Sequence, residues 1–179
     1  MKLKLLLPFL FVIYSCAQDS SIDRDDLIEK AGAPLLNGLG SHSFTISSKV
    51  EGVQDYFNQG LIMAFAFNHA ESIRSFKAAQ KLDPNCAICF WGEALALGPN
   101  INVTSDGKAI MSPQERLDAF ERTKKAMALI EFASPKEKDF IHTLKSRYNG
   151  DVNSSRVPLD IAYAEAMAAL SSKYPDDTD

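Results

Sequence analysis

From Val50 onward, apolar residues recur three and four positions apart with charged residues between them. No stretch alternates apolar and polar residues over several positions. The first pattern lays a stripe along one side of an α-helix, and the missing one would have marked a strand. Helix starts are legible too. Ser112-Pro113-Gln114-Glu115 and Ser134-Pro135-Lys136-Glu137 are two copies of one device. In each, serine caps, proline takes the first helical position, and glutamate reaches back to close a capping box. Asn68-His69-Ala70-Glu71 has the same spacing without the proline. These marks predict helices over 50–65, 69–82, 86–97, 113–131, 135–148 and 158–173. Short turns join most of them, which predicts antiparallel hairpins. The exception runs from Gly98 to Met111, long and without periodicity, as a functional or covering loop would be.

A repeat can be anchored on Pro84. The tetratricopeptide pattern, with a period of about 34 residues, asks for aromatic and small residues at fixed places before a closing proline. Tyr56, Gly60, Ser72, Phe76, Ala79 and Leu82-Asp83-Pro84 stand at those places, while Gln59 and Met63 depart from them. Helices 86–97 and 113–131 make a second pair once the long loop is set aside. Helices 135–148 and 158–173 make a third, ending in Tyr174-Pro175-Asp176-Asp177, an echo of Leu82-Asp83-Pro84. The expected fold is therefore all-α, a helix-hairpin solenoid of the tetratricopeptide type with about three hairpins and one long loop insertion. A plain helical bundle is the alternative.

The N-terminus is a separate object. Met1 to Lys4 is basic, and Leu5 to Tyr14 is an apolar run too short to span a bilayer as a mature helix. That is the physics of a secretory signal peptide. Ile13-Tyr14-Ser15-Cys16 resembles a bacterial lipobox, which would place a lipid on Cys16. Tyr14 is bulkier than that motif prefers, and simple cleavage after Ala17 is the alternative. The chain divides accordingly into signal peptide and lipobox (1–16), flexible tether (17–45) and helical repeat domain (46–179). Location follows: exported, in the periplasm or at the outer membrane, with the membrane touched through the lipid anchor alone. The composition, 46% hydrophobic and 23% charged, is that of a globular protein. A net charge of −4 and a pI near 5.4 argue against a nucleic-acid partner, which would need a clustered basic surface.

Export sharpens the cysteine count. With Cys16 carrying lipid, Cys86 and Cys89 remain as a pair in an oxidising compartment. Cys86 falls in the first turn of helix 86–97, where residues three apart sit wider than a disulfide wants unless the turn is frayed. Four readings stay open: a disulfide or redox pair, two reduced buried residues, half a metal site, and haem attachment. Zinc would need further ligands from only three histidines, and haem attachment would need histidine where Phe90 stands. Hairpin geometry separates His69 from Cys86 by most of a helix length, about 20 Å. It gathers Asn68, His69, Glu71, Asn100 and Asn102 at the opposite end, under the long loop. That cluster is either a set of caps and loop hydrogen bonds or a small polar ligand pocket centred on His69. Trp91, beside Phe90 and pointing elsewhere, is a candidate groove anchor. No Ser-His-Asp set, phosphate-binding glycine loop or His-x-x-x-His signature occurs, and neither a cofactor nor a metal is implied.

Several stretches carry a family resemblance. Tyr56-Phe57-Asn58-Gln59-Gly60-Leu61, Ala66-Phe67-Asn68-His69-Ala70-Glu71, Cys86-Ala87-Ile88-Cys89-Phe90-Trp91-Gly92-Glu93 and Leu97-Gly98-Pro99-Asn100-Ile101-Asn102 resemble a group of exported bacterial tetratricopeptide-repeat proteins. The resemblance covers roughly residues 45–179 and matches the N-terminal portion of those longer proteins. It implies a superhelical scaffold and no settled activity. The resulting expectation is a non-enzymatic scaffold in the cell envelope that binds a protein or peptide partner along its concave face. The alternative is a thiol-redox, metal or small-ligand binding protein using Cys86 and Cys89 or the His69 pocket. The sequence specifies neither the partner nor the oligomeric state.

Overall fold

The computed structural model describes residues 23–100 and 111–177, and the backbone of 104–105 and 108–109. The signal-peptide and lipidation readings at 1–16, Cys16 included, and Asn102 of the polar cluster lie outside the described residues.

Among the described residues, seven α-helices carry the fold: α1 Arg24–Ala31, α2 Val53–Phe65, α3 His69–Leu82, α4 Ala87–Leu97, α5 Pro113–Ala128, α6 Pro135–Leu144 and α7 Arg156–Lys173. The only strands among the described residues, β1 Thr104–Ser105 and β2 Lys108–Ala109, pair antiparallel inside the long loop. The fold is all-α.

Helix boundaries follow local chemistry. α2 starts at Val53, not Val50, because Gly52 before it adopts a left-handed φ of 80°. α5 and α6 start on full capping boxes at Ser112 with Glu115 and at Ser134 with Glu137, each with proline at the first position. Both end earlier than the sequence predicts, closing in single 3-10 turns at Ile130–Phe132 and Lys145–Arg147. α7 starts two residues earlier than predicted, capped by the Ser155 hydroxyl.

In the pairs α2–α3, α3–α4, α4–α5 and α6–α7 the helices run antiparallel, joined by cross-contacts. Ser72 of α3 donates to the Gly60 carbonyl of α2 (2.6 Å), and Gln80 of α3 donates to the Cys89 carbonyl of α4 (3.2 Å). Lys125 of α5 lies over the Phe90 ring of α4 (5.8 Å), while Arg122 lies 3.7 Å from Glu93. On α6, Asp139 accepts from Lys173 (2.6 Å) and Tyr174 (2.5 Å) at the end of α7. The first helices of the three pairs, α2, α4 and α6, also touch in succession.

α4 is the centre. Its sequence is apolar nearly all round, as a helix buried on most sides must be, and Ala87 through Ala94 are buried without a break. Around it, Tyr56, Phe57 and Phe76 have no exposed surface. Burying side chains of this size contributes roughly 1.5–3 kcal/mol each. A buried carboxylate on α4, Glu93, accepts from Gln80 (2.7 Å) and sits between Lys77 (3.6 Å) and Arg122 (3.7 Å). A buried charge needs such partners to be tolerated.

Of the flexible tether expected over 17–45, residues 17–22 lie outside the described residues, and the described part, from Asp23 on, packs against the helices. Residues 24–31 form α1, and its Leu27 and Ala31 are buried. The segment 33–50, here termed the strap, has no regular secondary structure yet lies pinned across the helices. Its Phe44 and Ile46 are buried in the core. Hydrophobic burial of these two side chains, with backbone hydrogen bonds to match, overcomes the entropy that composition alone would suggest.

Candidate functional site

The strap is held by side-chain amides on one face of α2. Gln59 accepts from the Leu36 N–H (2.7 Å) and donates to the Pro34 carbonyl (3.0 Å). Asn58 accepts from the Phe44 N–H (3.3 Å), while Gln54 accepts from the Ile46 N–H (3.0 Å) and donates to the Phe44 carbonyl (2.8 Å). Tyr56 donates to the Ala33 carbonyl (2.6 Å). A segment without a ladder must find partners for its peptide groups, and α2 supplies them from successive turns. Farther along, the Ser47 N–H reaches Oε1 of Glu137 on α6 (2.9 Å), and Ser47 Oγ donates to the Phe132 carbonyl (3.1 Å). Phe44 thereby sits between α2 and α6, its ring 5.8 Å from Phe57 and 5.2 Å from Phe140, with Lys136 Nζ 4.3 Å from its centroid.

Beside Phe44 lies an apolar cavity of about 190 Å3. Its buried walls are Phe44, Leu61 of α2, Trp91 of α4 and Phe140 of α6; Leu95, Tyr163 and Met167 are partly buried, and Phe65 is 52% exposed. Trp91 meets Phe140 edge-on at 5.6 Å. Burial pushes the Tyr163 phenol pKa up, opposed by the nearby Arg147 charge. The guanidinium of Arg147 lies 4.6 Å from the Tyr163 ring. Trp91, expected as an exposed groove anchor, is instead only 6% exposed. Its neighbour Phe90 is turned toward Lys125 of α5, so the two rings do point different ways, but α4 is enclosed on both sides.

Cys86 and Cys89 are joined in a disulfide with Cα atoms 5.3 Å apart. Cys86 is not in the helix: it is the residue before Ala87, with φ −67° and ψ 87°, and this non-helical start lets the two residues close on each other. Both cysteines are buried, so the sulfurs offer little access to an attacking thiolate. Among the described residues no three His, Cys, Asp or Glu side chains gather as a metal site.

At the opposite end of the α3–α4 hairpin the structure brings His69 and Asn100 together. Burial lowers the His69 pKa below its usual value, and a side-chain hydrogen bond with Asn100 partly raises it again. Neither buried ring nitrogen meets the distance and angle of a regular hydrogen bond. Asn68 caps α3 by accepting from the Glu71 N–H (3.3 Å). Glu71 does not complete the expected box; its Oε2 pairs with Arg74 at 3.2 Å instead. The approach to this end is strained. Phe67, 56% exposed, takes a left-handed φ of 61°, closing α2 through bonds from the Phe67 N–H to the Ala64 carbonyl and from the Asn68 N–H to the Met63 carbonyl. That pattern is a Schellman ending, where glycine is the usual occupant.

The strap residues and their amide clamps were missed by sequence reasoning. One signal was present: Gln59 departs from the apolar repeat position, and it is this side chain, 2% exposed, that holds Leu36 and Pro34. No protein-family model matches this chain, and no curated protein or solved structure matches it either.

Proposed function

We propose that the chain is a tetratricopeptide-like scaffold, exported and anchored through Cys16 in the bacterial cell envelope, that binds a protein or peptide partner and performs no chemistry itself. Three antiparallel pairs whose first helices touch in succession suit such a stacked scaffold. The observation that carries the binding role is the strap. A segment without a ladder lies across α2 and reaches α6, its peptide groups read by Gln54, Asn58 and Gln59 and its Phe44 ring set between the two helices. A surface that holds this chain's own extended segment by generic amide contacts has the chemistry to hold another, with the strap setting where the partner's path begins. A thiol-redox role draws less support, since both cysteines are buried and paired.

Selection of random peptides on the purified chain tests this. Enriched peptides should bind the parent and lose most affinity for a Phe65→Ser, Tyr163→Ser variant at the edge of the same face. Failure to enrich any sequence, or equal binding by both proteins, rejects the scaffold reading.

A further inference from the structure

We propose that the cavity between α2, α4, α6 and α7 is a binding site for a small free apolar molecule of about one six-membered ring. The proposal does not rest on the partner reading above, although Phe65 and Tyr163 serve both.

Size is the first argument. An apolar cavity of about 150 Å3 holds benzene, and this one measures about 190 Å3. Chemistry is the second. Every lining side chain is aromatic or aliphatic, and the only polar side-chain atoms among them are the indole nitrogen of Trp91 and the hydroxyl of Tyr163. Such a lining gives water too few partners to hold it, and it favours an apolar ring with at most one hydroxyl. Enclosure is the third. Four helices and the strap wall the space with buried Phe44, Leu61, Trp91 and Phe140, while half-exposed Phe65 stands at its edge. The walls are braced by rigid contacts, Trp91 against Phe140 at 5.6 Å and Phe44 against Phe140 at 5.2 Å, so the space does not simply collapse.

The chain has one tryptophan, and it lines the cavity, so occupancy has a built-in reporter. The probe is 4-fluorotoluene added to the full chain, read by its 19F line and, in parallel, by Trp91 emission. Saturable 19F shifts are expected, with Trp91 emission changing over the same concentration range. Met167→Trp, at a partly buried position on the α7 wall, should weaken probe binding by about tenfold or more by filling the space. Phe65→Ala, at an exposed position, should weaken it several-fold by opening the wall, and it serves if the larger substitution fails to fold. The proposal is overturned if the probe shows no saturable binding up to its solubility. It is also overturned if 19F shifts occur without any Trp91 response, or if folded variants bind as the parent does.

Discussion

The ring of Phe76 on α3 occupies the place that a Cβ on Gly92 of α4 would need: an added methyl there would lie 2.3 Å from Cε1 of the ring. On the other side, a Cβ at Gly60 of α2 would lie 2.8 Å from the same atom. Both neighbours of α3 approach it through a residue without a side chain, and the fully buried aromatic fills the gap. Gly92→Ala is therefore expected to cost about 2–3 kcal/mol in overpacking. Gly60→Ala should cost less, since the ring has less far to move. Urea unfolding of the two variants checks the order; a neutral Gly92→Ala would mean that Phe76 has room the packing does not reveal.

Glu137 uses both carboxylate oxygens on backbone N–H groups, Oε1 for Ser47 of the strap and Oε2 for Ser134 at the α6 cap (2.6 Å). The side chain is fully buried. Glu137→Ala should lower stability by roughly 1–3 kcal/mol, because it takes the partner from two partly buried donors. Hydrogen exchange should then rise at Ser47 and Ser134 together. Faster exchange at Ser134 alone would show that the strap is held by other contacts.

How much of this was legible depends on range. The caps at Ser112 and Ser134 were read directly, because Ser-Pro-x-Glu completes its bonds within three residues and needs no tertiary help. The adjacency of His69 and Asn100 followed from hairpin geometry. The strap was not legible. Its partners lie far along the chain, Gln59 for Leu36 and Glu137 for Ser47, and its isolated apolar residues Phe44 and Ile46 form no periodic pattern. Asp83-Pro84-Asn85 looks like a complete start and predicts Cys86 inside the helix, whereas Cys86 is non-helical and the helix begins at Ala87.

The disulfide closes a very short loop, so its effect on the unfolded chain is small, about 2 kcal/mol on the loop-entropy account. A Cys86→Ala, Cys89→Ala variant, which buries no new polar group, should fold and lose stability by about that much. Because both residues are buried, a mild reductant should cleave the bond slowly in the native protein and quickly in urea. Thiol labelling after timed reduction measures both rates; equal rates would place the sulfurs at the surface.

His69 has a lowered pKa in the folded chain, so the unfolded chain binds its proton more readily. Its contribution is complete above the unfolded value, near 6.5. It is lost as pH falls from there through the lower folded value. The parent should therefore lose stability between neutral and mildly acidic pH, and His69→Gln should flatten that part of the profile. Following the His69 ring signals by NMR against pH gives the folded value directly, and a midpoint above 6.5 would reverse the sign.

The bond between Ser47 and Glu137 spans 90 residues of chain. Order of synthesis then sets order of assembly. The strap leaves the ribosome early, yet its last anchor cannot exist until α6 has been made, so the Ser47 end of the strap is among the final parts to settle. Long-range closures of this kind slow folding, so the strap can dock on α2 early and still wait for α6 before its far end is fixed.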